Sequence, residues 1–513
     1  HMFDFIIWTG DSARHDQDTQ MPRTEEEIIK SNEWAINAVE STFPDIPIVP
    51  NVGNNDIFLH NTMVPGPSHE TRRFAKLWKN HLSEDALETV VHGGYFAKEV
   101  LPDRLAVLSL NTLYFYDSNK AVDGCPRRHK KDKTVDAGTL QLEWLARELA
   151  QFRRRNMQVH IIGHVPPTAG NYFERCYDAY TELVLRFQDT IVGQHFGHMN
   201  MDAFFVQESS AVSPKLVDID ASHVTIMNGH GIEDDLRNDF EVLPGPARIN
   251  MDYYGTFFLN PSIVPTYFPT IRVWTYNTTP AHENRPIMAQ ETGLDQVDVM
   301  ELNDILFGEE DDSSDLHVEV ARSHRRPARK HRKKHRKQPR YASELSPSRT
   351  NTFLSLLGYS EWVLDINQAN AEYERVRHKA GRAAADQLRP EFQLEYVTYD
   401  GGTLWHEFVE RAGNNYCVPD FRRHESPADH HVPVPTALLE RHLERFNLES
   451  PFRRSTTDGV CRIARPLREI TMYDMNDLTL RSVMDLARRL VLDKKLWNVF
   501  VRRLYTSSLE KST

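Results

Sequence analysis

T-G-D-S-A-R-H-D, Thr9 to Asp16, is the stretch on which the reading of this chain turns. The six residues before it, Phe3 to Trp8, form a short apolar run of β type, so Asp11 falls where a buried strand gives way to a loop. A carboxylate at the C-terminal edge of a strand stands where α/β sheets carry their active sites. Gly-Asp is also ordinary turn chemistry, and the rest of the chain has to decide between the two.

Three further strand ends bear on that choice. The run Ile46–Val52 leads into G-N-N-D, which presents Asn54, Asn55 and Asp56, with His60-Asn61 close behind. Val159–Gly163 leads to His164, followed by two prolines that stop the strand. Thr190–Gly193 leads to Q-H-F-G-H-M-N-M-D, which presents His195, His198 and Asn200. Singly, each has a structural explanation: a hydrogen-bonded core histidine or a turn-forming asparagine. Together, an Asp, an Asn, a His and a G-H-x-N, each after its own strand, make a mixed oxygen and nitrogen donor set suited to a pair of divalent ions. Two such ions about 3.5–4 Å apart share a bridging carboxylate and clamp phosphoryl oxygens for in-line attack.

This order of motifs resembles the calcineurin-like metallophosphoesterase superfamily, whose motifs run D-x-H, G-D, G-N-H-D/E, H and G-H-x-H. Within it the chain is similar to the acid-sphingomyelinase-like branch, and most of all to fungal endopolyphosphatases. The residues behind that narrower resemblance are W-T-G-D-S-A-R-H-D, G-N-N-D, F-Y-D-S-N-K-A-V-D-G-C from Phe115 to Cys125, I-I-G-H-V-P-P, G-Q-H-F-G-H-M-N-M-D and P-S-I-V-P-T-Y-F-P-T-I-R-V. The resemblance implies a layered α/β (α+β) fold, the metallophosphoesterase αββα sandwich, over residues 1–307. It implies two divalent metal ions (Zn, Mn, Fe, Co or Mg), with Asp11 as the bridge, Asn54, His164 and His198 as ligands of one ion, and Asn200 standing where the family has its last His ligand of the other. His15 and His60 become candidate proton donors. Asn55 takes the place of a histidine near the scissile phosphate, and an amide cannot serve as a general acid near neutral pH. Arg14, Lys120, Arg127 and Arg128 lie beside the motifs as candidate contacts to a polyanion.

The implied reaction is hydrolysis of internal phosphoanhydride bonds of inorganic polyphosphate. A phosphodiesterase acting on a lipid headgroup or nucleotide, and a non-catalytic polyanion-binding protein, are the competing readings. The D-x-H motif would stand upstream of Asp11, where only ten residues precede it, so an impaired first metal site is expected of this chain as it stands. His1-Met2 reads as a cloning remnant. The family is vacuolar and lumenal, held by an N-terminal membrane anchor absent from this sequence and open to activation by a vacuolar protease; a homo-oligomer is left open.

Composition sets the outer limits. With 513 residues, 40% hydrophobic and 26% charged, the chain is long enough for a large core and an accessory region. A net charge of -12 argues against a general nucleic-acid binder. Besides the runs named above, Leu105–Leu110, Val224–Met227 and Ile271–Tyr276 read as strands, and Glu25–Ser41, Glu70–Lys79 and Thr139–Asn156 as helices, the last with an apolar stripe of Leu140, Leu142, Leu145, Leu149 and Phe152. Residues 308–345 hold an acidic block, Glu309 to Asp315, and a basic run, Arg322 to Arg340, and read as a disordered surface insertion that either gathers a polyanion or is a solvated linker. Residues 346–513, with apolar elements Phe353–Asp365 and Gln393–Tyr399, a helix over Ala369–Gln387 and amphipathic Ser482–Tyr505, read as a largely helical accessory region packed on the catalytic domain.

Four cysteines allow two disulfides; proximity in sequence favours Cys125 with Cys176 and Cys417 with Cys461, against four free thiols in a reducing compartment. Asn277-Thr278-Thr279 is a glycosylation sequon.

Overall fold

The computed structural model describes residues 3–15, 20–127, 134–209, 231–264, 266–279, 344–412, 417–419 and 433–508. The expected strand Val224–Met227, Arg128, and residues 308–343 of the expected insertion lie outside them.

Two strands of only two residues each, β1 (Ile6–Ile7) and β2 (Ile48–Val49), pair in parallel and deliver the Asp11 and Asn54 loops side by side. The main sheet is built from β3 (Phe96–Leu101), β4 (Leu105–Ser109), β5 (Gln158–Ile162), β6 (Ile191–Phe196), β7 (Ala203–Glu208) and β8 (Tyr254–Leu259) in the order β3-β4-β5-β6-β8-β7. The inner strands β4, β5, β6 and β8 run parallel, and the two edges are antiparallel. Every residue of β4, β5 and β6 is buried, because the sheet is covered on both faces.

Among the described residues, six α-helices lie between the strands of this part of the chain, and two of them pack together on one face of the main sheet. The six are α1 (Glu25–Thr42), α2 (His69–Leu77), α3 (Glu84–Gly93), α4 (Ala137–Arg154), α5 (Glu174–Arg186) and α6 (Ile232–Glu241), with α4 against β5 and α5 against β8. Helix α4 begins at Asp136, whose side chain accepts from the N–H groups of Gly138 and Thr139, and buries Leu142, Leu145, Leu149 and Phe152. Leu140, expected in the same stripe, is exposed.

The other face meets a three-stranded sheet, β11-β10-β9, made of β9 (Thr270–Tyr276), β10 (Leu356–Val363) and β11 (Gln393–Val397). Trp274 of β9 joins the layers, with its ring centroid 4.6 Å from His195, 5.0 Å from Phe258 and 4.7 Å from Tyr359. The whole is a mixed α/β fold with two facing sheets and helices outside, consistent with the metallophosphoesterase architecture.

The segment after residue 346 is more deeply built in than an accessory helical region. Its strand β10 pairs with β9 from Val363↔Thr270 to Leu356↔Tyr276. Helix α7 (Ile366–Ala380) buries none of its side chains, α8 (Thr436–Arg445) belongs to a small second apolar cluster with Trp405 and Leu467, and α9 (Leu480–Leu492) and α10 (Lys494–Leu504) sink Val483, Met484, Leu490, Phe500 and Leu504 into the main core. Strands β12 (Phe452–Arg454) and β13 (Cys461–Ile463) form a separate hairpin. Both disulfides join the cysteines paired by proximity, Cys125–Cys176 and Cys417–Cys461.

Asn277 is buried, its Nδ2 donates to Asn351 Oδ1 at 2.7 Å and its Oδ1 accepts from Thr279 N–H. A glycan on that nitrogen would break the first bond.

Candidate metal centre

Four electron-rich atoms from four loops meet at one point. His164 Nε2 lies 2.8 Å from Asn54 Oδ1 and 3.2 Å from Asp11 Oδ2, and His198 Nδ1 lies 3.0 Å from Asn54 Oδ1 and 3.3 Å from His164 Nε2. Each is aimed there by a separate partner. His164 Nδ1 donates to the Thr9 carbonyl at 2.7 Å, which turns Nε2 inward. Asn54 Nδ2 donates to His60 Nε2 at 2.9 Å and to Asn61 Oδ1 at 3.0 Å, so the amide oxygen faces the histidines. Tyr116 packs edge-on against His198, at 5.4 Å between ring centroids.

Asp11 is gripped by Asn55 twice: the backbone N–H donates to Oδ1 at 2.8 Å and Nδ2 donates to Oδ2 at 2.7 Å. Asn55 therefore aligns the carboxylate instead of reaching toward a substrate. His60, expected as a proton donor, spends Nε2 on the Asn54 amide.

The backbone is strained here. Asp11, His198 and Asn200 all have left-handed φ, +61°, +69° and +57°. Such conformations cost about 1–2 kcal/mol each for non-glycine residues and gather at functional sites. Gly53 permits the close approach of the G-N-N-D loop, since a Cβ there would lie 2.1 Å from Asp11 Oδ1.

Burial opposes charge on both Asp11 and His164, yet each favours the ionised form of the other; the Asp11 carboxyl is held well below the usual range and His164 is raised. Burial, with His164 beside it, pushes His198 down to about 3.

The set fits a divalent cation. Among the described residues no three His, Cys, Asp or Glu side chains are placed to hold a metal ion by themselves, and the Asn54 amide oxygen completes the group. Ligand atoms about 2.1 Å from a tetrahedral ion stand about 3.4 Å from one another, and the four spacings among these atoms, 2.8–3.3 Å, are a little shorter than that.

Beside the centre opens a cavity of about 790 Å³ lined by Asp11, His15, Asn200, Arg14, Lys30 and Trp34, among others. His15 and Asn200 thus share a wall with Asp11. Arg14 pairs with Glu27 at 2.5 Å and Lys30 with Glu26 at 2.6 Å. Lys120 donates to the Asp117 carbonyl at 2.8 Å. Arg127 is among the described residues but not among those lining the cavity.

Two residues that the motifs do not single out also hold the site. Arg23, buried, donates from Nη1 to the carbonyls of Asn55 and Arg14, and Asn32 of α1 donates to Asp56. Neither has a sequence signal, because each acts through contacts brought together only by the packing of α1.

No protein-family model matches the chain. An endopolyphosphatase of Cryptococcus neoformans is 35% identical over 561 residues, covering 98% of this chain and 77% of that protein. Those of Schizosaccharomyces pombe and Saccharomyces cerevisiae are 38% and 36% identical over 53% and 42% of this chain, which spans 48% and 32% of their lengths. Near-complete coverage by the first of these relatives, at that identity, establishes that the chain belongs to the endopolyphosphatase family.

Proposed function

We propose that this chain hydrolyses internal phosphoanhydride bonds of inorganic polyphosphate at the Asp11 centre. The observation that carries the reading is the convergence of Asp11, Asn54, His164 and His198 on a point beside an open cavity. A divalent ion held by these four polarises a phosphoryl oxygen and lowers the pKa of water, when bound. A second ion would draw on Asp11 and on Asn200 from the same cavity wall.

The chain's own residues do the positioning. Asn55 keeps both Asp11 oxygens in place, His60 and Asn61 hold the Asn54 amide, and Thr9 holds His164. Arg14 and Lys30 can exchange Glu27 and Glu26 for phosphate oxygens of a chain lying in the cavity. His15 is the imidazole on that wall able to hand a proton to the departing phosphate. The leaving group is itself acidic, so little help is needed, which suits a site whose Asn55 is an amide. Two disulfides are in keeping with an oxidising setting such as the vacuolar lumen. The order of the motifs supports reading the chain as a member of the acid-sphingomyelinase-like branch of the metallophosphoesterases.

Asp11→Asn tests the reading. Polyphosphate incubated with the wild type should shorten to a ladder on a gel, and the variant should leave it intact. Hydrolysis by Asp11→Asn at the wild-type rate would sink the proposal. Release of phosphocholine or a nucleoside phosphate without polyphosphate cleavage would favour the phosphodiesterase.

A further inference from the structure

Asp56 stands two residues after Asn54, and its buried carboxylate takes five N–H groups. Oδ2 accepts from the backbone of Asp11 at 2.7 Å and of Gly53 at 2.9 Å. Oδ1 accepts from the backbone of Ser12 at 2.7 Å and Ala13 at 3.1 Å, and from Asn32 Nδ2 at 3.1 Å. Two carboxylate oxygens offer about four lone-pair sites, so the group is saturated.

Three of the five donors are consecutive amides. They point to one place because Gly10 and Asp11 both have positive φ, +87° and +61°. Successive N–H groups turned inward in this way form a nest, a concavity that binds anions such as phosphate. In this chain a carboxylate from the neighbouring loop fills it.

We propose that Asp56 is the built-in anion of this nest and a positioning residue for the metal centre. Its hydrogen bonds hold the left-handed turn at Asp11, against a cost of about 1–2 kcal/mol for that conformation, and so set the direction in which the Asp11 carboxylate leaves the backbone. Asp56 also keeps the nest closed to substrate phosphate, which is left to the cavity side of Asp11. The inference rests on Asp11 being a metal ligand. An amide at position 56 offers one oxygen and sets an NH₂ against N–H donors, so Asp56→Asn should fail as Asp56→Ala does.

The test uses the full chain, with Mn²⁺ affinity by titration calorimetry and polyphosphate hydrolysis for the wild type, Asp56→Ala and Asp11→Ala. For Asp56→Ala, Mn²⁺ binding should weaken about 10–100-fold, with kcat falling and KM moving by less than about twofold. Sodium formate, a carboxylate that fits the vacated nest, should restore part of the Mn²⁺ affinity and kcat of Asp56→Ala and none of Asp11→Ala. Wild-type Mn²⁺ affinity in folded Asp56→Ala, alongside its loss in Asp11→Ala, overturns the nest; so does a loss in folded Asp56→Ala that formate leaves untouched. Wild-type affinity in Asp11→Ala refutes the metal-centre reading instead. If Asp56→Ala does not fold, hydrogen exchange of the wild type decides: slow exchange at Asp11, Ser12 and Ala13 supports the nest, and exchange at the rate of an open loop refutes it.

Discussion

His164 and Asn54, 110 residues apart in sequence, present a ring nitrogen and an amide oxygen to each other at 2.8 Å. Neither atom is free to turn away, because Thr9 holds the far side of the imidazole and His60 and Asn61 hold the amide nitrogen. If this pair serves a cation, His164→Ala should lower Mn²⁺ affinity and kcat/KM by at least about 100-fold, the upper end of what outer-sphere partners cost. Calorimetry and ladder formation read the two quantities. A variant with wild-type Mn²⁺ affinity would remove His164 from the centre.

Arg272 is a second buried focus. Its Nε donates to Glu361 at 2.7 Å, its Nη2 donates to Asp202, and its guanidinium lies 4.1 Å from the centre of the Tyr359 ring. Arg272→Met would leave the Asp202 and Glu361 carboxyl groups buried without the guanidinium donor they share. Urea unfolding should show a loss of about 3–5 kcal/mol, the usual result of stranding one side of a buried ion pair.

The same cluster gives the fold a pH dependence. Burial lifts the Glu361 carboxyl to about 8, against the pull of Arg272 and with the push of Asp202. An unfolded chain titrates that group at 4.5, so between 4.5 and about 8 the folded state holds the extra proton and stability falls as pH rises. Buried His160, pushed down to about 4, acts in the opposite sense below 6.5. Above 6.5 the raised His164 adds a slope of the same sign, so Glu361→Gln should make the slope shallower without abolishing it. Equal slopes of melting temperature against pH in wild type and variant would refute the assignment.

The chain should survive being cut between residues 280 and 343. Each disulfide lies on one side of that segment, while β9 and β10, together with Arg272 and Glu361, bind the two sides non-covalently. A specific protease site placed there should yield two bands on a non-reducing denaturing gel and one peak on a sizing column. Two peaks on the column would show that the halves need the covalent link.

Cys125–Cys176 closes a span of 51 residues between the loop after Phe115 and α5. The chain-entropy relation puts its contribution near 4 kcal/mol. Cys125→Ser with Cys176→Ser should lower the unfolding free energy by roughly 2–5 kcal/mol; no change in the urea midpoint would contradict the pairing.

Local chemistry was enough to locate much of this site. An apolar run followed by Gly-Asp, Gly-Asn-Asn-Asp, Gly-His-Val-Pro-Pro or Gly-His-Met-Asn marks a strand that must stop and a polar group left at its end, and those ends carry Asp11, Asn54, His164 and His198. The long amphipathic helices α1 and α4 are likewise legible, since a 3.6-residue stripe persists over their 18 residues each. Short edge strands such as β3 and β7, half-buried and paired antiparallel, give no comparable signal.

What each polar group does was decided by tertiary structure alone. Asn55, His60 and Asp56 sit in one loop with similar sequence credentials, yet one grips Asp11, one turns the Asn54 amide and one fills a ring of backbone amides. The place of residues 346–513 followed the same rule: a strand's partner depends on which edge is open, and β9 offers β10 an edge 80 residues before β10 begins. Sequence periodicity reports which side chains must be buried. It carries no record of which donor meets which acceptor, because hydrogen-bond partners are set by distances between loops that only the packed sheets bring together.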